Sequence, residues 1–229
     1  MDLYFVLPPA VYRRFEGYDH GVNKQSALLR EIKTKLLAKY GLSSIRGDGP
    51  VVLAEFISYS VEIVPAFALT QERNYWVCDT KNGGQYKKTA PLDEIDAIGE
   101  ADHRNNHNVC PLIRMLKAWQ FSCSVPIKSF CLELLATEFI DQWQYKQQSY
   151  FFYDWMCRDF FQWVINKANS FVMAPGTYEI LWLGENWKSR AESAYVRAVK
   201  ACDLERSNLL LAAGDEWQKI FGTNVPRYT

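Results

Sequence analysis

The spacing of hydrophobic positions predicts strands in the first part of the chain. Residues 3–7 form a short apolar run that ends at two prolines, a pattern typical of a buried strand. Residues 51–56 are apolar except for Glu55, and residues 59–67 alternate with a period of two, which predicts two strands joined by a tight turn. Residues 46–50 are predicted to form a turn and residues 79–91 a polar, glycine-rich loop.

Helical spacing dominates the rest of the chain. One helix is predicted from Lys24 to Tyr40, where Gly41 supplies a stop signal. After the strands, apolar or polar helical patterns follow one another at residues 92–106, 111–121, 127–140, 151–168 and 189–213, before a short turn at 217–222. The chain is therefore predicted to be an α+β protein, with a mixed sheet and flanking helices in residues 1–90 and an all-helical lobe in residues 91–229.

Composition narrows the classes of function. The 26 basic and 26 acidic residues give a net charge of zero, so no surface for long nucleic acid is expected. No apolar run approaches the roughly 18 residues that a membrane helix needs, and the opening residues lack a basic leader. The six cysteines include no Cys-x-x-Cys pair. We therefore expect a cytoplasmic protein with reduced thiols and no membrane partner.

Two carboxylates on predicted strands are candidates for a metal site. Asp2 comes directly before the first apolar run, and Glu62 lies in the middle of the alternating strand, on the face opposite Val61, Ile63 and Phe67. A carboxylate in a half-buried strand is costly unless it is paired or binds a metal. Asp2 and Glu62 on adjacent strands could hold Mg²⁺, whereas the structural alternative is a solvent-facing Glu62 and a frayed Asp2.

A series of segments, taken in order, resembles one family. These segments are MDLYFVLP, NKQSALLREIK, RGDGPVVLAEF, VEIVPAF, NGGQYKKTAPL, PLIRMLKAW, KSFCLELLATEF and the closing AYVRAVKACDLERSNLLLAAGDEWQKIFG. Each segment alone is a weak signal, but together they resemble the bacterial relatives of cyclic GMP-AMP synthase. The resemblance implies a polymerase-beta-like nucleotidyltransferase that makes cyclic di- or trinucleotides from ATP and other ribonucleoside triphosphates in defence against phage.

The resemblance also implies roles for four residues. Asp2 and Glu62 would be catalytic and would bind Mg²⁺ or Mn²⁺, although many family members have aspartate at the second position. Lys117 would reach the phosphates of the nucleotide, and Ser129, at the predicted start of a helix, would contact the triphosphate. A lysine and a helix-start hydroxyl are chemically suited to bind phosphate. A monomer with a regulatory protein partner is expected.

Two elements of the family pattern are missing from the chain. They are a Gly-Ser turn that grips phosphates and the first aspartate of an Asp-x-Asp strand motif, whose second aspartate matches Asp2. We therefore expect that the chain is incomplete at its N-terminus and has little or no synthase activity. The alternative is a catalytically inactive relative that binds nucleotides or partners.

Other residue groups have simpler explanations beside a functional one. His103, His107 and Cys110 have a spacing that can bind Zn²⁺, but a polar helix end with a buried cysteine is the favoured explanation. Residues 82–88 lack the spacing of a phosphate-binding loop. The acidic and basic residues Asp154, Arg158 and Asp159 are predicted to form local helix pairs.

Overall fold

The computed structural model describes residues 2–18, 21–40, 45–48, 51–69 and 73–227. The chain folds into two compact units, Met1–Asp93 and Glu94–Thr229. The first unit contains a six-stranded mixed sheet and two helices, and the second unit is mainly helical. The α+β fold class predicted from the sequence is confirmed.

The sheet unit is organised around one long strand. Its elements are β1 (Asp2–Val6), α1 (Pro9–Glu16), α2 (Lys24–Tyr40), β2 (Ile45–Asp48), β3 (Val51–Glu55), β4 (Ser60–Ala68), β5 (Tyr75–Asp79) and β6 (Gln85–Thr89). Strand β4 pairs in parallel with β1 and antiparallel with β3 and β5. Strands β2 and β6 extend the sheet by pairing with β3 and β5 respectively. The predicted turn between β3 and β4 is present.

One face of this sheet packs against the helices. Leu28 and Ile32 of α2 are buried against Val52 of β3 and Phe67 of β4. Residues Leu28 and Ile32 lie four positions apart and therefore on the same side of the helix. Helix α2 runs from Lys24 to Tyr40, as predicted. The apolar positions on which the prediction rested are those that pack into this core.

Two segments predicted to be irregular are strands instead. Residues 45–48 form β2. Within the predicted loop at 79–91, residues 85–89 form β6, which pairs with β5 in a hairpin, and residues 80–84 form its turn. The residue of β6 that packs into the core is Tyr86, whose ring centroid lies 6.1 Å from that of Trp76. The next two residues of the strand, Lys87 and Lys88, are exposed, as is common on strands at the edge of a sheet. Main-chain pairing with β5 therefore outweighs the polar composition of β6.

The hairpin turn depends on Gly84. Its φ of +94° lies in the region that favours glycine, and a side chain there would lie 2.5 Å from the Asn23 Oδ1 atom. Asn23 in turn accepts a hydrogen bond from the Ser26 N–H at 2.9 Å and donates one to the Thr80 carbonyl at 3.0 Å. The start of α2 is thereby connected to the hairpin.

Six helices and a small hairpin follow. They are α3 (Pro91–Arg104), which begins at the end of the first unit, α4 (Val109–Ser122), α5 (Ser129–Gln142), α6 (Tyr153–Ile165), β7 (Phe171–Met173), β8 (Ile180–Trp182), α7 (Lys188–Arg206) and α8 (Leu210–Phe221). The core of the helical unit is rich in aromatic rings, including the fully buried Trp119, Phe160, Phe161 and Trp187. No helix among the described residues is long and apolar enough to cross a membrane.

The second unit differs from the sequence prediction at three points. It is not all-helical, because β7 and β8 form an antiparallel hairpin. The helix predicted at 189–213 is broken between α7 and α8, where Asn208 has a φ of +59°. Asparagine tolerates this left-handed conformation and often ends helices. The turn expected at residues 217–222 belongs largely to α8.

Candidate functional site

The sheet brings the positions of Asp2 and Glu62 side by side. Strands β1 and β4 are parallel, and Asp2 is the register partner of Glu62. Neighbouring strands are about 4.8 Å apart, so the two backbone positions are direct neighbours. The side chain of Asp2 lies outside the described part of the chain. The expected adjacency of the two strands is present, whereas the role of both residues as metal ligands stays a prediction.

The side chain of Glu62 is exposed, on the face of β4 opposite the helices. Val61 and Phe67 are buried on the helix-packed face, as the alternating pattern predicted. Across β3, the register partner of Glu62 is Leu53, which is 7% exposed. The exposure of Glu62 means that burial does not force it to have a partner. The desolvation argument for a metal site is therefore wrong for this residue, while the register supports one.

Lys117 forms an ion pair across two helices of the second unit. Its Nζ atom on α4 lies 2.6 Å from the Glu133 Oε1 atom on α5. The side chain of Lys117 is 46% exposed and that of Glu133 is 20% exposed. An exposed pair of this kind contributes little stability, so the ammonium group can exchange this carboxylate for another anion at low cost.

Ser129 is the first residue of α5, as expected from the sequence. The preceding residue, Lys128, is extended, and within the described part of the chain its side chain does not cap the helix. The first N–H groups of a helix have no partner inside the helix, and the N-terminus carries partial positive charge. Ser129 also lies one turn before Glu133, on the same side of α5.

The four predicted residues thus form two pairs. Asp2 and Glu62 are adjacent in the sheet unit, and in the helical unit Lys117 contacts Glu133 of α5, the helix that begins at Ser129. Sequence reasoning did not single out Glu133. The signal was present, because a glutamate between the apolar residues Leu132 and Leu134 is unusual within such a hydrophobic helix.

The possible zinc ligands do not converge. Helix α3 ends at Arg104, and His107 has a φ of +57°, so His103 and His107 are not on one helix. Asp102 is the partner of both His107 and Cys110. Its carboxylate contacts His107 Nδ1 at 3.0 Å and accepts a hydrogen bond from the Cys110 N–H at 2.8 Å. Among the described residues, this set does not form a group with clustered ligand atoms.

Asp154 is part of a cluster that the sequence did not predict. In addition to its predicted attraction to Arg158 on α6, it is hydrogen-bonded to Glu205 of α7. Ligand atoms of Asp154, Glu205 and Cys202 lie within 4.8 Å of one another, and Trp217 donates its indole N–H to Glu205 at 2.7 Å. Burial raises the pKa of both carboxyls, and it raises the pKa of the Cys202 thiol to about 12.

The predicted local contact between Arg158 and Asp159 is present, with Arg158 Nη2 2.7 Å from Asp159 Oδ1. Asp159 also accepts a hydrogen bond from the Trp143 indole at 3.0 Å. Asp154, by contrast, points to a different helix. The polar residues at the start of α6 therefore serve two separate clusters.

The chain is similar to proteins that synthesise cyclic nucleotides. Residues 1–102 match the Second Messenger Oligonucleotide or Dinucleotide Synthetase domain. A probable cyclic nucleotide synthase of Bacillus cereus (strain VD146) is 24% identical over 226 residues, an alignment that covers 92% of this chain. The alignment spans 66% of that protein, just under two thirds of its length.

Solved structures share the fold at low sequence identity. The Escherichia coli MS115-1 protein CdnC with ATP has a TM-score of 0.66 and 16% identity, over 98% of this chain and 77% of that one. A double mutant of the Vibrio cholerae di-nucleotide cyclase DncV has a TM-score of 0.77 and 12% identity, over 99% and 64%. DncV with a linear dinucleotide intermediate has a TM-score of 0.71 and 12% identity, over 83% and 56%.

Proposed function

We propose that this chain is one of the bacterial nucleotidyltransferases related to cyclic GMP-AMP synthase and that it binds ribonucleoside triphosphates with a divalent metal for the synthesis of a cyclic oligonucleotide. The reaction is the transfer of a nucleotidyl group to a ribose hydroxyl. The hydroxyl oxygen bonds to the α-phosphorus, the bond from that phosphorus to the bridging oxygen breaks, and pyrophosphate leaves. A second transfer or a third closes the ring.

The observation that carries the proposal is the register of Asp2 with Glu62. Two carboxylates form a set of oxygen donors, which suits Mg²⁺ or Mn²⁺. A bound divalent ion would activate the attacking hydroxyl and stabilise the negative charge that accumulates on the leaving phosphates. In this proposal Asp2 and Glu62 hold the metal, and the exposure of Glu62 leaves its carboxylate accessible to a ligand.

The helical unit contributes the groups that bind phosphate. Lys117 exchanges its contact with Glu133 for a phosphate oxygen, and Ser129 offers its hydroxyl at the start of α5. The N–H groups in the first turn of α5 add hydrogen-bond donors, and the partial positive charge of the helix N-terminus also attracts phosphate. These groups would neutralise part of the negative charge of a triphosphate and hold it by hydrogen bonds.

Regulation and biological role extend the proposal. One similar solved structure is a complex of E. coli CdnC with a HORMA protein, which supports a regulatory protein partner for this chain. Other similar structures contain ATP, GTP or a linear dinucleotide, which supports nucleoside triphosphates as substrates. We further propose a role in defence against phage, on the basis of the family resemblance.

The proposal is tested by metal-dependent nucleotide binding. Isothermal titration with a non-hydrolysable ATP analogue would be performed with Mg²⁺ and with EDTA. We expect Mg²⁺ to increase the affinity, and Glu62→Gln to lower the affinity with Mg²⁺ by about tenfold or more because it removes a metal ligand. Glu100→Gln, an exposed carboxylate on α3, is the matched control and should bind as the unmodified chain does.

Synthesis would be measured in parallel by incubating the chain with Mg²⁺ and all four ribonucleoside triphosphates and separating the products. Loss of any cyclic product in Glu62→Gln but not in Glu100→Gln would support the assigned role of Glu62. Affinity that is equal with and without Mg²⁺, together with an unchanged Glu62→Gln, would contradict the proposal.

A further inference from the structure

A cavity in the helical unit is lined by basic and hydroxyl groups. It has a volume of about 450 Å³, within the range of small-molecule pockets. Residues at the end of α4, on one side of α7 and near the end of α8 form its walls. The residues that matter most for its chemistry are Trp119, Ser122, Ser124, Arg190, Arg197 and Lys219.

Positive charge is in excess around this cavity. A neighbouring depression of about 660 Å³ shares Arg197 and Lys219 with it and adds Lys200. The two depressions together are lined by four cationic side chains but only two carboxylates, those of Glu192 and Glu216. The chain as a whole is neutral, so this local excess is a property of the surface and not of the composition.

Glu216 is already bound by three of these cations. Its carboxylate lies 3.1 Å from Arg197 Nη1, 2.7 Å from Lys200 Nζ and 2.9 Å from Lys219 Nζ. The Glu216 side chain is only 5% exposed, whereas each of the three cations is at least 43% exposed. One carboxylate cannot neutralise three cations, and their exposed groups keep donors available for a further anion.

Arg190 is placed where a helix disfavours a cation. It lies in the first turn of α7, whose N-terminus carries partial positive charge. Among the described residues Arg190 forms no ion pair that would offset this repulsion. Lys219, in contrast, lies in the last turn of α8, where the helix dipole favours it. The dipoles therefore explain Lys219 but not Arg190, and an anion near Arg190 would be attracted by both the guanidinium group and the helix N-terminus.

The end of α4 adds two further features. Ser124 has a φ of +48°, a conformation that favours glycine, and follows the helix end where Val125 N donates to Gln120 O at 2.9 Å. A serine at this position places a hydroxyl-bearing residue in the cavity wall. Trp119 is fully buried, and its indole N–H has no hydrogen-bond partner in the part of the chain that the structure describes.

The cavity is separate from the Lys117–Glu133 pair. Lys117 and Trp119 are two positions apart on α4, which places them on nearly opposite sides of the helix at about 100° per residue. Lys117 contacts α5, whereas Trp119 lines the cavity with residues of α7 and α8. An anion in the cavity would therefore be additional to any phosphate bound by Lys117.

We propose that this cavity is a second anion site that binds a phosphate-bearing small molecule. Arg190, Arg197 and Lys219 would bind the phosphate groups, with Ser122 and Ser124 as hydroxyl donors at the floor. Arginine is suited to this role because its planar group can donate two parallel hydrogen bonds to phosphate. The site is independent of the metal-dependent substrate binding proposed above.

Titration with sodium tripolyphosphate in EDTA, at constant ionic strength and in a Lys117→Met background, tests the proposal. The missing metal and the missing lysine exclude the proposed substrate site. We expect saturable binding of one equivalent, and a loss of about tenfold in affinity for Arg190→Gln, the size expected for one charge-assisted hydrogen bond. Adenosine at the same concentrations should not bind.

Arg206→Gln is the matched control, because Arg206 is an exposed arginine at the other end of α7 and pairs locally with Asp203. It should leave tripolyphosphate affinity unchanged. Equal losses for Arg190→Gln and Arg206→Gln would indicate general charge screening and overturn the proposal. Absence of saturable binding in the Lys117→Met background, with binding in the unmodified chain, would assign the anion to Lys117 and overturn it as well.

Peptide-resolved alkylation gives a readout at the cavity itself. Cys123 lines the cavity and is partly exposed, and Cys110 is a partly exposed cysteine elsewhere in the same unit. Tripolyphosphate should slow the labelling of Cys123 several-fold and leave that of Cys110 unchanged. Equal effects on both cysteines would contradict binding in the cavity.

Discussion

Glu205 and Glu216 lie on neighbouring helices of the same unit, yet their surroundings deal with their charge in opposite ways. Glu205 is hydrogen-bonded to Asp154 and lies close to the Cys202 thiol, and burial together with the second carboxyl raises its pKa. Glu216 is more deeply buried but lies against Arg197, Lys200 and Lys219, and the hydrogen bonds from Lys200 and Lys219 hold its pKa at about 2. The surroundings of Glu205 thus favour its protonated form, and those of Glu216 favour its ionised form.

The difference shows that burial alone does not decide the charge of a carboxyl group. Desolvation disfavours the ionised form in both places, but at Glu216 three charge-assisted hydrogen bonds outweigh it. Helix α7 contributes to both clusters from different sides, with Cys202 and Glu205 in one and Arg197 and Lys200 in the other. The side of α7 on which a residue lies therefore decides whether it meets the carboxyl of Asp154 or that of Glu216.

The largest expected effect comes from removing the charge of Glu216. Glu216→Gln leaves three cations facing a neutral amide, and we expect a loss of about 2 kcal/mol in the free energy of unfolding at pH 7. Because the folded-state pKa lies below the unfolded one, this stabilisation is present above about pH 4.5 and is lost as the pH falls toward 2. Urea unfolding followed by tryptophan fluorescence at pH 7 and pH 3 measures both effects.

The neighbouring Asp215 supplies the control for that prediction. It pairs with Arg227 at the surface, so Asp215→Asn should cost clearly less than Glu216→Gln. If the two variants lose the same stability at pH 7, the ion cluster around Glu216 is no stronger than a surface pair.

A smaller effect, a gain in stability, is expected from removing the charge of Asp154, which lies next to Glu205. The pKa of Asp154 is raised, mainly by burial, so between its unfolded pKa and its raised pKa the folded chain binds more protons than the unfolded chain. The contribution of this group to stability is therefore full below about pH 4 and is lost as the pH rises through the raised pKa. Asp154→Asn removes this cost, because the amide has no charge to bury.

We expect Asp154→Asn to gain stability relative to the unmodified chain as the pH rises from 4 to 8. The gain should be about 0.5 to 1 kcal/mol, since the partial exposure of the pair reduces the effect. Urea unfolding of both proteins across this pH range measures the difference between the two curves. A difference that does not change with pH would show that the pair does not retain a proton in the folded chain.

The smallest effect on stability is expected at the exposed Lys117–Glu133 pair. Glu133→Gln should change the free energy of unfolding by less than about 1 kcal/mol, because exposed ion pairs contribute little. The same change frees the ammonium group of Lys117, so the affinity for a triphosphate should rise by a few-fold. Titration of the metal-bound ATP analogue measures this, and an unchanged or lower affinity would argue against phosphate binding by Lys117.

Part of the candidate site could be predicted from residue types and spacing. The alternation around Glu62 correctly assigned Val61 and Phe67 to the core face, because side chains alternate along a strand. The helix start at Ser129 was also predictable from the apolar run that follows it. Glu133 and the group of Asp154, Cys202 and Glu205 were not, because their partners lie on other helices, far away in the chain.

By itself the sequence determined the α+β class, the ends of α2 and the succession of helices after residue 90, because local periodicity records which side of each element is buried. It could not identify β6, whose polar composition is offset by pairing with β5, or the break at Asn208 between α7 and α8. Only the tertiary structure decided which charges meet. The register of Asp2 with Glu62, the three cations around Glu216 and the proximity of Asp154 to Glu205 all depend on contacts between segments that are distant in the chain, and periodicity within one segment carries no information about them.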